Sequence, residues 1–535
     1  MSQIISLLEQ STGSNGQARL AAVRAMQEIE VQATSLVSYQ SKGSVLIIAE
    51  PDTFETLKTK LGTLNCIHTP MVSKLDGHLG DFKAFVTSEK GEVNLALLKA
   101  DKSESFDLIL DLSNPPHWQR EMQAFGYFAP KGEVEIQAAL QQIADLQGEF
   151  EKPKFFEYSE NLCAHSRRGI EACRRCLDAC PAEAITSLAE KISVDPFLCQ
   201  GGGTCATVCP TGAIRYAYPR LNDTLNRVRR MLQAYKEVNG TDATLLIHDG
   251  ESGEEWLAQQ LPLLGEHVLP FVVEEAGSVG MDMWLASLAF AAQQVVILLH
   301  PGQDKVKDIL QQQMEYARAL LVGMGYDANR IVLLDSSKGS DSLGHPDEFT
   351  DGKNALPIAS FMLLDEKRYT LRSAIDHLYE HAPAQQEMVA LPAGAPFGQV
   401  NVNIDKCTLC MACVSVCPAE ALSDGNELPK LNFSESSCVQ CGMCSKACPE
   451  RAIHLESRYV YKSDWAQSKR TLHEEEPFCC TACGKPFATQ SAIKVIQSKL
   501  NGHHMFQSEE QQRRLLMCED CRVRDMFSNE LEGKG

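Results

Sequence analysis

Two cysteine runs between Cys407 and Pro449 constrain the fold of this chain more than any other stretch. Each run reads Cys-x2-Cys-x2-Cys-x3-Cys-Pro, so one pattern is written twice in register. Three thiolates on a short loop can reach one iron–sulfur cubane, whereas the fourth, before the proline, ligates the cluster of the other run. The repeat therefore predicts two [4Fe–4S] clusters with crossed ligation.

This spacing is the ligand pattern of bacterial two-cluster ferredoxins. One cluster is predicted to bind Cys407, Cys410, Cys413 and Cys448. The other is predicted to bind Cys438, Cys441, Cys444 and Cys417. A zinc or disulfide framework is the alternative, but two identical frames that each close on Cys-Pro favour clusters. We assign residues 400–458 to this arrangement, the second ferredoxin module.

Length, charge and cysteine content narrow the class of protein. The 535 residues suffice for three or four domains, and the net charge of −20 argues against a nucleic-acid partner. Met1 to Glu30 lacks the basic and apolar regions of a secretory signal, and no stretch reaches the length of a membrane span. We therefore expect a cytoplasmic protein, in which 21 cysteines indicate metal binding rather than disulfides.

Altered cysteine runs lie at residues 156–220, the first ferredoxin module. They read Cys173-x2-Cys176-x3-Cys180-Pro181 and Cys199-x5-Cys205-x3-Cys209-Pro210. When the halves are aligned on their Cys-Pro pairs, Cys173 falls on Gly202 and Cys199 falls on Ile170. Each half therefore lacks a different one of its four ligands.

Crossed ligation leaves each cluster of the first module with three thiolates. One keeps Cys173, Cys176 and Cys209, with Cys163 as a spare ligand, and the other keeps Cys180, Cys199 and Cys205. A cubane with three thiolates can become [3Fe–4S], recruit another ligand or keep an open iron. The centre that lacks a ligand at Gly202 is the candidate for such an unusual cluster. The alternative is a degenerate ferredoxin that holds one cluster or none.

The other regions carry no recognisable catalytic motif. Residues 1–155 are predicted to form a small α/β domain, with helical spacing over Ile4 to Ala33, broken at Ser11 to Gly16, and over Val134 to Phe150. Residues 221–381 alternate strand-like and helical runs between Thr244 and Leu334, which predicts a parallel sheet with flanking helices. This domain lacks the G-x-G-x-x-G signature, so a structural or docking role is favoured over a nucleotide or flavin site. Residues 382–399 are predicted to be a linker.

A third type of cysteine pattern lies in the C-terminal segment, residues 459–535. Cys480-x2-Cys483 is followed by Cys518-x2-Cys521, and two such pairs suit one tetrahedral metal ion. We predict a zinc ribbon-like site in which these four cysteines hold Zn²⁺, with a single rubredoxin-like iron as the alternative. A helix is expected within the loop, over Ala488 to Leu500.

Several of these motifs resemble a family of large cytoplasmic multi-cluster ferredoxins. Ferredoxins of this family are found in bacteria that carry molybdenum- or tungsten-dependent formate dehydrogenases. The resemblance rests on Cys163-Ala-His-Ser-Arg, on the cysteine motifs of both modules, and on Cys480-Thr-Ala-Cys483-Gly-Lys-Pro-Phe with Met517-Cys518-Glu-Asp-Cys521-Arg. It implies an electron carrier that works beside formate oxidation. Phe271 to Leu285 is weakly similar to hydrogenase delta-type subunits but lacks their cluster cysteines, so it implies no cofactor.

The sequence thus predicts an α+β and α/β multidomain iron–sulfur protein that passes single electrons to a redox partner, with formate dehydrogenase as the candidate. A redox-enzyme subunit with a flavin or substrate in the α/β domain is one alternative. An assembly factor for formate dehydrogenase is another. No Ser/His/Asp triad, paired carboxylates or HExxH motif points to hydrolysis.

Overall fold

The computed structural model describes residues 2–62, 64–88, 91–100, 102–339, 349, 356–426, 428–500, 503 and 506–532. The chain divides into two compact units, each built from three segments. Unit 1 comprises Met1–Glu160, Arg174–Leu188 and Ile192–Pro383. Unit 2 comprises Asn161–Cys173, Ala189–Lys191 and Ala384–Gly535. The sixfold division expected from the sequence stays a prediction.

The N-terminal part of unit 1 is built around a small parallel sheet. Its helices are α1 (Ser2–Leu8), α2 (Ser14–Gln27), α3 (Pro51–Leu61) and α4 (Glu133–Asp145). Its strands are β1 (Leu36–Ser41), β2 (Ser44–Ile48), β3 (Asn65–Thr69), β4 (Lys74–Asp76), β5 (Lys83–Ser88), β6 (Gly91–Asn94), β7 (Leu108–Asp111), β8 (Tyr127–Phe128) and β9 (Gly148–Pro153). The parallel sheet has the order β3-β2-β7-β8.

Strand β2 forms the centre of this sheet because all five of its residues are apolar or small and all are buried. Successive side chains point to opposite faces. Val45 and Ile47 therefore join the core that includes Ile143 of α4, whereas Leu46 packs on the other face in the core that includes Phe82. The helix predicted over residues 134–150 ends earlier, at Asp145, and the chain turns into β9 at Gly148, where φ is +125°.

The next elements belong to the first ferredoxin module. They are β10 (Phe156–Tyr158), β11 (Ser166–Arg167), β12 (Ile170–Glu171), α5 (Arg175–Ala179), β13 (Ile185–Leu188), β14 (Lys191–Val194), α6 (Thr204–Val208) and β15 (Ile214–Tyr216). Strands β10 and β15 pair antiparallel and join the two ends of the cysteine-containing segment. The residues that form β11 and β12 lie in unit 2.

A second parallel sheet forms the other core of unit 1. Its elements are α7 (Leu221–Glu237), β16 (Thr244–Asp249), α8 (Ser252–Gln260), β17 (Val268–Val273), α9 (Met281–Ala289), β18 (Gln294–Leu299), α10 (Asp304–Gly323), β19 (Ile331–Asp335) and α11 (Lys367–Glu380). The strand order is β17-β16-β18-β19, all parallel. The predicted alternation of strands and helices is confirmed.

The first two helices pack against this second sheet. Helix α2 contacts α7 and β17, and α1 contacts α8. The Glu266 carboxylate accepts hydrogen bonds from the backbone N–H groups of Gly13 (3.3 Å) and Gly16 (3.2 Å) at the start of α2. A carboxylate at that position satisfies N–H groups that have no partner within the helix. The N-terminal residues therefore stabilise a core that is distant in sequence.

Acidic side chains gather where the second sheet ends. Asp249 closes β16, and Glu274 and Glu275 follow β17 directly. Burial, reinforced by the charges of Asp249, Glu274 and Glu251, raises the pKa of Glu275 to about 7. Because like charges repel one another, the ends of β16 and β17 disfavour a phosphate-bearing ligand, although α/β sheets often bind such ligands at their carboxyl ends.

Unit 2 contains the second ferredoxin module and the C-terminal segment. Its strands include β20 (Met388–Ala390), β21 (Gly398–Val402), β22 (Leu422–Gly425), β23 (Leu428–Phe433), β24 (Ile453–Val460), β25 (Arg470–Glu474), β26 (Pro477–Cys479) and β27 (Pro486–Thr489). Its helices are α12 (Ala412–Val416), α13 (Met443–Ala447), α14 (Ser463–Gln467), α15 (Gln490–Leu500), α16 (Glu509–Arg514) and α17 (Glu519–Glu532). Strand β24 pairs with β20 and β21, so part of the predicted linker is a strand. None of the helices in the described part of the chain is both long enough and apolar enough to cross a membrane.

A buried ion-pair network fixes the loop that leads into Cys438. The Glu435 side chain is 5% exposed. It accepts two hydrogen bonds from Arg458, both at 2.9 Å, and one from Arg470 at 2.7 Å. Two guanidinium groups thus depend on one carboxylate for their charge compensation.

We expect Glu435→Ala to lower the free energy of unfolding of unit 2 by about 3 kcal/mol, because it leaves two poorly solvated arginines without a counter-ion. Urea unfolding, followed by amide hydrogen exchange in β24, measures this change. The matched control is Glu474→Ala, which removes a 65% exposed partner of Lys430 and should cost less than about 1 kcal/mol. Equal effects of the two substitutions would contradict the assignment.

Candidate metal centres

Four short helices repeat one arrangement of cysteines. Each of α5, α6, α12 and α13 has five residues, and the second of them is the cysteine that stands third in the full cluster pattern. The residue directly after each helix is the cysteine of a Cys-Pro pair, and these residues are Cys180, Cys209, Cys417 and Cys448. All four have extended backbones, with φ between −75° and −64° and ψ between 110° and 117°. Proline disfavours helical geometry in the preceding residue, so it ends each helix at the ligand.

In the second module, the first predicted ligand set lines one cavity. This set A consists of Cys407, Cys410, Cys413 and Cys448. Burial raises the pKa of Cys413 to about 12, and the thiolates of Cys407 and Cys410 act in the same direction. Four sulfurs that repel one another as anions form a donor set that suits a cationic iron centre. The residues present therefore fit the predicted cluster.

The second predicted set lines a neighbouring cavity. This set B consists of Cys417, Cys438, Cys441 and Cys444. Burial raises the pKa of Cys444, and the charges of Cys438, Cys441 and Cys417 act in the same direction. Cys413 of set A lies in the same hydrophobic core as Cys444, so the two sets are neighbours. The ligation itself stays a prediction.

Backbone N–H groups point at the sulfurs of both modules. The Ala452 N–H donates to Cys448 Sγ at 3.2 Å, and the Ala184 N–H donates to Cys180 Sγ at 3.3 Å. In each case the donor lies four residues after the cysteine of a Cys-Pro pair. Such bonds to sulfur favour the thiolate and influence the reduction potential of a bound cluster. The first module therefore keeps this feature despite its altered spacing.

The unusual ligand set of the first module comes together within unit 1. Burial raises the pKa of Cys205 well above its ordinary value, and the thiolates of Cys199, Cys180 and Cys176 add to the effect. The three cysteines predicted to share one cluster, Cys180, Cys199 and Cys205, are thus close neighbours. As thiolates these three cysteines repel one another, and a bound iron centre would compensate their negative charges. They are therefore a suitable donor set for iron.

Cys163 and Cys173 lie in the Asn161–Cys173 segment of unit 2, whereas Cys176 and Cys209 belong to unit 1. Within unit 2 this segment contacts the second module. The Lys446 ammonium donates to the Glu171 carbonyl at 2.9 Å. Burial and Cys417 raise the pKa of Cys441 to about 11, and Cys173 contributes to this rise. Cys173 therefore lies near set B, and the ligands of the remaining cluster stay a prediction.

The C-terminal cysteines form a compact group. The sulfurs of Cys480, Cys483, Cys518 and Cys521 all lie within 4.8 Å of one another. The Sγ atoms of Cys483 and Cys518 are 3.7 Å apart. A tetrahedral ion with metal–sulfur bonds of about 2.3 Å would separate its sulfurs by about 3.8 Å. The group therefore fits a single metal ion better than a cluster.

The electrostatics of this group agree with its geometry. Burial acts to raise the pKa of Cys480, but the N–H groups of Cys518, Cys483 and Ala482 outweigh it and lower the pKa to about 6. A thiol with a low pKa is a ready metal ligand. The predicted helix in the intervening loop is present as α15, Gln490–Leu500.

Another candidate group was not expected from the sequence. His377, Glu380 and His381 lie at the end of α11 with their potential ligand atoms within 4.8 Å of one another. Their spacing of three and four residues places them on one helix face, and this spacing could have revealed them. His377 Nε2 already lies 2.9 Å from the Pro357 carbonyl oxygen, so the group is engaged in local hydrogen bonds.

Comparison with known proteins supports the cluster motifs. Residues 171–213 and residues 406–453 each match a family described as a 4Fe-4S dicluster domain. No curated protein matches the chain. The matched segments contain the cysteine runs of the first and second modules. The chain therefore carries two 4Fe-4S dicluster ferredoxin domains, which support an iron–sulfur electron-transfer role.

Proposed function

We propose that this protein relays single electrons between redox enzymes. The observation that carries the proposal is the proximity of sets A and B, because Cys413 of one set and Cys444 of the other lie in the same hydrophobic core. Neighbouring centres allow an electron to move without a diffusing carrier. The two dicluster domains support this role.

Bound clusters would supply one-electron oxidation and reduction. The protein's own residues hold and insulate them. Sets A and B would each bind one cluster, and N–H groups such as that of Ala452 stabilise negative charge on sulfur. Most of these cysteines are buried or half-buried, but Cys410 is exposed. We infer that electrons enter or leave the second module on the side of Cys410.

The first module is proposed to extend this relay. It would hold one or two further clusters, one of them unusual because a thiolate is missing at Gly202. Cys173, which lies near Cys441 within unit 2, is three residues before Cys176 in the sequence. Cys173 is thus a cysteine of the first module that lies beside set B within unit 2.

Formate dehydrogenase is the proposed partner, and the cytoplasm is the proposed location. Both proposals rest on the resemblance to multi-cluster ferredoxins of formate-oxidising bacteria. A flavin in the α/β domain is a weaker alternative, because Asp249, Glu274 and Glu275 crowd negative charge at the ends of β16 and β17. Phosphate-bearing cofactors are disfavoured beside these two strand ends.

Anaerobically purified protein should lose visible absorption when it is mixed with formate and a molybdenum- or tungsten-dependent formate dehydrogenase. Stopped-flow absorbance measures this reduction, and the same mixture without formate is the control. If dithionite bleaches the protein and formate does not, the formate link fails and the carrier role stands. If the protein only increases maturation of the enzyme, the assembly role is favoured.

Cys413→Ala should lower the iron content by between about one and about four atoms per chain, because a cubane holds ~4 irons through its thiolate ligands. Iron and sulfide analysis with EPR of the reduced protein measures the loss. Cys479→Ala is the matched control, since Cys479 is exposed and belongs to none of the predicted ligand sets. Unchanged iron content in Cys413→Ala would contradict set A.

Cys518→Ala should abolish binding of one zinc ion per chain and leave the iron content unchanged, because the C-terminal group would keep only three of its ligands. Elemental analysis by mass spectrometry distinguishes zinc from iron in the intact protein. Loss of iron rather than zinc would favour a rubredoxin-like centre. Retention of the full metal content would rule out this site.

A further inference from the structure

Gly202, the position of a missing ligand, is the middle residue of three consecutive glycines, Gly201 to Gly203. Gly201 and Gly203 have φ of +81° and +73°, a region that strongly favours glycine. A side chain on Gly203 would also come within 2.3 Å of the Ser278 backbone. Gly202 has no such backbone requirement, so its lack of a side chain needs another explanation.

A sulfur atom fills the space beside Gly202. A Cβ atom built on Gly202 would lie 2.7 Å from Met122 Sδ and 2.9 Å from Pro181 Cγ. A cysteine would carry its own sulfur one bond beyond that Cβ. The thioether of Met122 therefore lies against the position from which the side chain of the missing thiolate would extend.

The surrounding contacts hold Met122 in this place. Its backbone N–H donates to the Pro181 carbonyl at 3.2 Å, and its side chain is half-buried. Pro181 directly follows Cys180, one of the three cysteines of the incomplete set. The segment that carries Met122 is thus attached to the loop that carries a predicted ligand.

We propose that the Met122 thioether is the fourth donor to the cluster at Cys180, Cys199 and Cys205. This proposal rests on the predicted cluster at these three cysteines. Thioether sulfur is a soft donor, and soft donors suit iron–sulfur centres. Methionine is neutral, so the centre would carry one negative charge less than a four-thiolate cluster. A smaller negative charge favours reduction and raises the potential.

The sequence pattern alone could not identify this ligand. Met122 lies outside both cysteine runs and has no fixed spacing to them. Only the fold brings it next to Gly202. The same geometry explains why a cysteine at position 202 would first collide with Met122, which must move before a fourth thiolate can bind.

The test compares anaerobically purified Met122→Leu with the wild-type protein by iron analysis and EPR-monitored redox titration. Leucine keeps much of the shape but removes the sulfur. We expect Met122→Leu to lose about one iron and to gain a [3Fe–4S] signal, because the open iron of a three-thiolate cubane dissociates. Met231→Leu is the matched control, since Met231 is fully buried in α7 of the same unit and should change neither readout.

A second variant tests the position directly. Gly202→Cys combined with Met122→Ala should restore the iron content and give a four-thiolate cluster of lower potential. Pro181 Cγ, at 2.9 Å from the new Cβ, has to shift slightly. A purely space-filling role for Met122 predicts neither the iron loss nor this rescue.

Two other outcomes would overturn the proposal in distinguishable ways. If Met122→Leu keeps the wild-type iron content, spectrum and potential, Met122 only fills space and the cluster remains. If Cys199→Ala also leaves iron content and spectrum unchanged, the first module holds no cluster at this position. In that case the predicted cluster fails together with its methionine ligand.

Discussion

The Cys-Pro dipeptide at the end of each short helix is the constraint on which both ferredoxin modules depend. Proline disfavours the helical conformation in the preceding residue, and the four cysteines concerned share nearly the same extended φ and ψ. Each helix can therefore present one cysteine from its first turn and another just beyond its end. This local rule places two ligands per helix before any tertiary contact forms.

Burial of the thiols, reinforced by repulsion among the thiolates, sets the energetics of these sites. Burial and neighbouring sulfurs raise the pKa of Cys413, Cys444 and Cys205, so without metal these groups favour the protonated form. Metal binding requires deprotonated ligands, and it therefore couples proton release to assembly of the site. The ion pairs of Glu435 act separately from this effect, since they secure the loop before Cys438 through Arg458 and Arg470.

The sequence predicted elements that depend on local patterns. The alternating strands and helices between Thr244 and Leu334 are present, as are the two initial helices and the helix near Leu500. Patterns of this kind reflect which face of an element is buried, and the spacing of apolar residues reports that directly. The grouping of the C-terminal cysteines could also be read from their spacing.

Features that depend on distant contacts were not predictable in this way. Helix α2 packs on α7, and its first turn donates hydrogen bonds to Glu266, although 250 residues separate Gly16 from Glu266. Met122 reaches Gly202 through the fold and not through a motif. The α11 histidines have a regular spacing in the sequence, but two histidines on one helix face are too common to indicate a site until the fold is known.

The segmented composition of unit 2 has a consequence for biosynthesis. Asn161–Cys173 supplies the Glu171 carbonyl that binds Lys446, yet it is translated long before the rest of that unit. Because chains emerge from the ribosome N-terminal end first, this segment is synthesised before the parts of unit 2 that it contacts. A fragment that starts at Ala384 would lack this segment and its hydrogen bond to Lys446, so only a chain that includes Asn161–Cys173 can assemble unit 2 as it stands in this structure.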